Sequence, residues 1–298
     1  MHRWHGRLAA ASLAVGMAAA GAAPKAPDPA RVWDDVGRVA TKGPADVPLI
    51  DQAVLHLPAG EVFVPQPEAD RLLALFGNPG SNPDMPGVIL PRDPNAKWFM
   101  PIRFQATGYI KDDDARTWNA DELLRSLKIG TDEQNVERQR AGIAQMEVLG
   151  WSEPPRYDPA TQRLRWALTS RTAGAKDDAP RLVNYNTYAL GRDGYFMMNL
   201  VAELADLPAL RPVAERQLAA LEWRPGKHYA EFDPHTDRVA AYGLASLVVG
   251  TLRPEGEAAA AAPFLGSRNA KLLLAGAVVT VLVLLALAWR RRASRVPA

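Results

Sequence analysis

The sequence contains no cysteine. Disulfides, thiolate zinc sites and thiol redox chemistry are therefore excluded, and the fold must be held together by burying a core. Also missing are Gly-x-Ser-x-Gly, Gly-x-Gly-x-x-Gly and Gly-x-x-x-x-Gly-Lys-Ser/Thr, which removes the nucleophile elbow, the dinucleotide turn and the phosphate loop as starting points for an activity. Acids are absent from both ends. The first 22 residues carry Arg3 and Arg7 alone, and the last 31 carry Arg268, Lys271, Arg290, Arg291, Arg292 and Arg295 alone. The net charge is +2, so the chain between those ends is left at −6. The basicity belongs to the termini and not to a nucleic-acid-binding surface, and no nucleic-acid partner is expected.

What is present at the ends is apolar sequence beside that charge. Residues 1–22 read as a signal peptide: Arg3 and Arg7, a short apolar stretch over residues 8–20, then Ala20-Gly21-Ala22 as a small-residue cleavage pattern. An uncleaved anchor is the alternative, but about 13 apolar residues fall short of the ~20 that span hydrocarbon. Leu272 to Trp289 is 18 residues with Thr280 as its one hydroxyl and no charge. At 1.5 Å per residue it covers about 27 Å, close to the hydrocarbon thickness. The arginines of the basic tail, residues 290–298, follow it directly and favour the cytoplasmic side. The expectation is one C-terminal transmembrane helix in the cell membrane, with the main domain outside and the bilayer as its first partner.

Between the ends, 298 residues at 48% hydrophobic and 23% charged have the balance of a folded protein of one or two domains. Residues 23–46 read as an Ala/Pro-rich linker and lead-in, 47–251 as the folded domain, and 252–271 as a second linker. Strands are expected over 47–57, 61–64, 146–157, 162–169, 182–190 and 194–201, with turns at Asp158-Pro-Ala-Thr161 and Gly191-Arg-Asp-Gly194. In 97–110, Trp98, Met100, Ile102 and Phe104 alternate with Arg103, Gln105 and Thr107, so this is the clearest strand, and Pro101 predicts that its first end lies at an edge or bulge. Helices are expected over 67–76, from a capping Asn119 with Glu122 to a stop at Gly130, from Thr131 to Arg140, over 207–223 and over 239–249. The fold class is α+β, an antiparallel sheet covered on one side by helices.

Three clusters could carry chemistry. Lys111-Asp112-Asp113-Asp114 offers oxygen ligands for a hard cation but lacks EF-hand spacing, and directly after a strand it better suits a solvated loop with a capping acid. His228, Glu231, Asp233 and His235 combine imidazole with carboxylate, the donor set for a transition metal, yet Pro234 makes the stretch a loop in which Asp233 and Asp237 can serve turns and caps. Trp151, Tyr157, Trp166, Tyr185, Tyr188, Tyr195 and Phe196 can form either a core or a stacking surface. Ala241, Gly243, Ala245 and Gly250 place small residues along the last helix, which could dock on a membrane or partner helix or pack within its own domain. No catalytic residue is assigned, and no cofactor or metal is expected.

Several separated motifs carry a resemblance. They are Gly108-Tyr-Ile-Lys-Asp-Asp-Asp114, residues 123–134, Gly150-Trp-Ser-Glu-Pro-Pro155, Asn184-Tyr-Asn186, Leu190-Gly-Arg-Asp-Gly194, Tyr229-Ala-Glu-Phe-Asp233 and Thr236-Asp-Arg-Val-Ala-Ala-Tyr-Gly243. Together, over about residues 30–252, the chain resembles an uncharacterised bacterial family of membrane-anchored proteins built on a domain of unknown function. The resemblance implies a signal peptide, an exported domain and a C-terminal anchor, and it brings no activity. His228 and His235 lie outside its pattern. The expectation is a non-enzymatic envelope module that binds a membrane or envelope partner, with a metal-dependent envelope hydrolase or a ligand-sensing domain as alternatives.

Overall fold

A computed structural model describes residues 28–76, 81–140 and 144–250. In chain order the elements are α1 (Pro29–Val39), β1 (Thr41–Lys42), β2 (Ala45–Leu49), β3 (Ala53–Leu57), β4 (Glu61–Pro65), α2 (Glu68–Leu75), β5 (Gly87–Pro91), β6 (Met100–Gln105) and α3 (Ala120–Arg140). There follow β7 (Met146–Asp158), β8 (Arg163–Thr172), β9 (Leu182–Leu190), β10 (Tyr195–Glu203), α4 (Leu207–Ala219), β11 (Leu221–Trp223) and α5 (Leu244–Val249). Eight strands form one antiparallel sheet in the order β1-β4-β5-β6-β10-β9-β8-β7, and β11-β3-β2 form a second, smaller one. The α+β class holds. The signal peptide and the apolar stretch 272–289 lie outside the described residues, and among the described residues no helix is long and apolar enough to cross a membrane.

The large sheet is covered on both faces, not one. On β9 and β10 every residue from Leu182 to Leu190 and from Tyr195 to Ala202 is buried, which a strand with one solvated face could not show. One face sends Val183, Tyr185, Phe196, Met198 and Leu200 into a core closed by α4 and by Leu55, Leu57 and Leu221 of the small sheet. The other face carries two separate apolar clusters. Val64, Val88 and Val201 pack under α1 and α2, while Leu164, Trp166, Tyr188 and Met197 pack with residues of α3 and α5.

Four local expectations need correction. The folded domain begins before residue 47: α1 is capped by Asp28 and buries Val32 and Val36, so most of the lead-in is structure. The single strand over 47–57 is the β2–β3 hairpin, turned at Ile50 with its positive φ of 50°. Pro101 lies in an interior strand; the β6–β10 ladder pairs Ile102 to Gln105, resumes at Phe99 with Val201, and skips the proline that has no N–H to give. The helices around Gly130 are one continuous α3. Thr131 donates its hydroxyl to the Leu127 carbonyl at 2.8 Å instead of capping a new helix, and a glycine inside a 21-residue helix costs only about 1 kcal/mol.

Candidate functional site

Four of the motifs scattered along the sequence, over 108–114, 190–194, 229–233 and 236–243, are drawn together at one end of the large sheet. Tyr109 stacks on Phe232 with ring centroids 3.9 Å apart and on Tyr229 at 4.3 Å. The Tyr229 hydroxyl donates to the Ile110 carbonyl at 2.7 Å, and Tyr109 exchanges backbone hydrogen bonds of 2.8 Å with Arg238 and Ala240. Gly108 has φ +92°, and a Cβ there would stand 2.4 Å from the Arg238 carbonyl, so this crossing requires glycine. The β9–β10 hairpin is tied in by Arg192, which grips Asp237 with two hydrogen bonds of 2.6 and 2.8 Å. Tyr157 donates to Asp112 at 2.9 Å, and burial followed by that carboxylate keeps its phenol protonated far above the ordinary range.

The acidic residues of this corner serve backbone and cations. Asp114 accepts the Leu244 and Ala245 amides at 3.1 and 2.8 Å, so it caps α5 from across the fold. Gly243 leaves room for it, since a Cβ there would meet the Asp114 carboxylate at 2.6 Å. Glu231 accepts the amides of Gly226 at 3.1 Å and His228 at 2.8 Å, which hold its carboxyl below the usual range. Asp233 accepts the His235 amide at 2.9 Å. Asp237, expected as the cap of the last helix, is instead the partner of Arg192, and that guanidinium depresses its carboxyl strongly. His228 and His235 are exposed. Among the described residues no group of three or more histidine and acidic side chains is arranged to hold a metal.

The small residues of the last helix do not share a face. The helix starts only at Leu244, because Val239 pairs with Tyr109 as a parallel bridge. Ala241 and Gly243 precede it, the first exposed and the second buried against Asp114. Ala245 packs on the cluster formed by Leu244, Leu247 and Val248, and Gly250 is the left-handed C-cap at φ 69°. The aromatic residues divide by strand alternation. Tyr185 and Phe196 enter the α4 side, whereas Trp166, Tyr188 and Tyr195 form a stacked row on the other side, 4.6 and 5.5 Å between successive centroids.

Beside that row lies a cleft of about 90 Å³, floored by β7 to β10 and walled by α3 and α5. Its floor includes Ser170, Asn184, Asn186 and Asn199, all buried. Asn186 and Asn199 are directly opposed across β9 and β10. Asn199 donates to the Asn186 side chain, and Asn186 donates to the Asn184 carbonyl at 3.0 Å. The Ser170 hydroxyl, 1% exposed, has no hydrogen-bond partner. Sequence reasoning had the two asparagines of β9 only as part of a motif and missed Ser170 and Asn199. The usable signal was compositional: asparagine is depleted in strands, yet Asn184 and Asn186 share one face of a strand that is otherwise Val, Thr, Tyr, Ala and Leu.

At the far edge of the fold, His56 stands between two acids on the small sheet. Its Nδ1 is 2.7 Å from Asp46 and its Nε2 is 2.8 Å from Glu222, and these hydrogen bonds, Asp46 first, raise its pKa. A neutral imidazole has one N–H and can satisfy only one of the two carboxylates, so the arrangement favours the cation.

No curated protein matches the chain. Among solved structures it is similar to cyanobacterial PsbP (CyanoP) from Synechocystis sp. PCC 6803, at 10% identity and a TM-score of 0.35, covering 62% of this chain and 91% of that one. It is also similar to PA94 of Pseudomonas aeruginosa, a protein of unknown function, at 12% identity and a TM-score of 0.24, covering 61% and 97%. Scores this low carry no argument about fold or function. The match that does carry one runs over residues 41–288, through the corner, the cleft and most of the apolar stretch beyond them, and by it the chain belongs to the family described as "Protein of unknown function (DUF2167)".

Proposed function

We propose that this chain is an exported binding module of a bacterial cell envelope, tethered by residues 272–289 and working through a membrane or envelope partner rather than through catalysis of its own. The observation that carries the reading is where the motifs converge. The residues around Tyr109, Asp114, Arg192 and Tyr229 assemble at the end of the fold where α5 packs, and α5 ends at Gly250, the last described residue before the linker and the apolar stretch. The surface built from the family's motifs would thus face the tether. The linker of residues 252–271 is short. The family match extends to residue 288, so the apolar stretch is part of the matched sequence and not an unrelated tail.

Crosslinking of the tagged full chain in its native membrane, followed by mass spectrometry, tests this. The expected result is one reproducible partner at near-equal amount that disappears when residues 272–298 are deleted. A chain recovered from the soluble fraction, or one with no partner above background, overturns it.

A further inference from the structure

We infer that the cleft between α3, α5 and the sheet binds a small uncharged amide, specifically the acetamido group of a larger ligand. This goes beyond the tethered-module reading, because it names a ligand group for the cleft and would hold for a free domain too.

The first argument is charge. Among the described residues, no side chain lining the cleft is ionisable to a cation or a carboxylate. A charged ligand group would be desolvated there with no counter-ion in the lining, an unfavourable form of burial. The second is size. A cleft of about 90 Å³ is smaller than the ~150 Å³ that accommodates a benzene ring, so it takes a group of a few heavy atoms and not a whole sugar or ring.

The third argument is hydrogen-bonding character. The floor is already a run of amide contacts, from Asn199 to the Asn186 side chain and from Asn186 to the Asn184 carbonyl. Next to it, on the adjoining strand, Ser170 has an unpartnered hydroxyl that can both donate and accept. A buried polar group left unpaired is unfavourable, and a ligand amide, with one carbonyl and one N–H, supplies the missing partner. The fourth is the wall beside the patch, where Trp166, Tyr188 and Met197 offer an apolar surface for a methyl group. An acetamido group has these features together: small, neutral, donor and acceptor on one side, methyl on the other.

The test is saturation-transfer NMR on the full-length chain in detergent micelles, with acetamide, N-acetylglucosamine, glucose and acetate as probes. Saturation of the acetyl methyl is expected for acetamide and N-acetylglucosamine, with acetate and glucose at least tenfold weaker. Acetate has the same shape as acetamide and differs in charge. Ser170→Ala should weaken acetamide binding at least fivefold while leaving the thermal midpoint unchanged or raised, because no internal hydrogen bond is lost. Ser246→Trp, at the α5 wall of the cleft, should abolish binding with the circular dichroism spectrum retained. The inference is overturned if acetate binds as well as acetamide, if both variants bind like the parent, or if no probe is saturated. None of these outcomes bears on whether a membrane partner is recovered by crosslinking.

Discussion

The two faces of β9 and β10 are equally buried and differently built. Toward α4, Val183, Tyr185, Phe196, Met198 and Leu200 pack with Leu55 and Leu221 into one apolar core, and the buried Thr187 on this face is satisfied by donating to the Met198 carbonyl at 2.9 Å. Toward α3 and α5, the same two strands present Asn184, Asn186 and Asn199 between two apolar clusters. Beside them on β6 lies Arg103, buried, with one guanidinium nitrogen donating to Asn82 at 3.1 Å and another without a partner. Burial lowers its pKa from the usual arginine value, against the opposing pull of the Asp84 and Asp70 carboxylates. The contrast puts the continuous apolar core on the α4 face and the polar-floored cleft on the other.

The largest effect expected from this contrast is on the α4 face. Leu200→Ala, at a fully buried position, should lower unfolding free energy in urea by about 2–5 kcal/mol. A cost under 1 kcal/mol would mean that this face is not the cohesive one. One residue earlier on the opposite face, Asn199→Leu should lose about 1–3 kcal/mol, because it strips the Asn186 side chain of its donor. Combining it with Asn186→Leu should recover most of that loss in a double-mutant cycle, since both partners are then apolar. A double variant far less stable than either single one would show the carboxamides to be structural.

The corner that joins the motifs provides a smaller, pH-resolved effect. Asp237 is held below its ordinary carboxylate range by Arg192, so its contribution is complete above the unfolded-state value near pH 4 and is lost as pH falls through the lowered folded value. Arg192→Met should therefore unfold more easily than the parent at pH 7, with the gap closing as pH drops from about 5 toward 2 in melts at stepped pH. A gap that stays constant would refute the coupling.

The smallest effect is expected at His56, where every partner is exposed and screened by solvent. Its folded pKa is raised, so its contribution is fully present below about pH 6.5 and disappears as pH rises through the folded value. The thermal midpoint of the parent should drift down between about pH 6.5 and 8, and His56→Gln should remove that drift. An identical slope in both proteins would mean that the two acids exert no net hold on the imidazole.

Periodicity made much of the sheet legible. The β7–β8 turn at Asp158, the hairpin at Gly191 to Gly194 and the inward alternation of Met100, Ile102 and Phe104 are local patterns of turn chemistry and side-chain period, and they lie where those patterns put them. Local patterns misled where a residue has two uses. Thr131 has the chemistry of a cap and bonds back within α3 instead, and Asp237 has that of a cap and instead binds Arg192 45 residues away. Trp166 and Tyr185 looked alike as strand aromatics and face opposite sides of the sheet.

Composition and order alone determined that no disulfide or thiolate chemistry is present, that the charge is divided between basic ends and an acidic middle, and that an α+β domain lies between two apolar segments. Those properties depend on residue counts and on spacings of two to four residues, which the chain carries whatever its fold. Only the tertiary structure decided that both sheet faces are covered, that Asp114 caps a helix 130 residues further on, and that Ser170 and Asn199 share a cleft with Asn186. Such neighbours are chosen by strand register and by the packing of α3, α4 and α5 over the sheet, and a polar side chain becomes unpaired or satisfied only after that packing has excluded water from it.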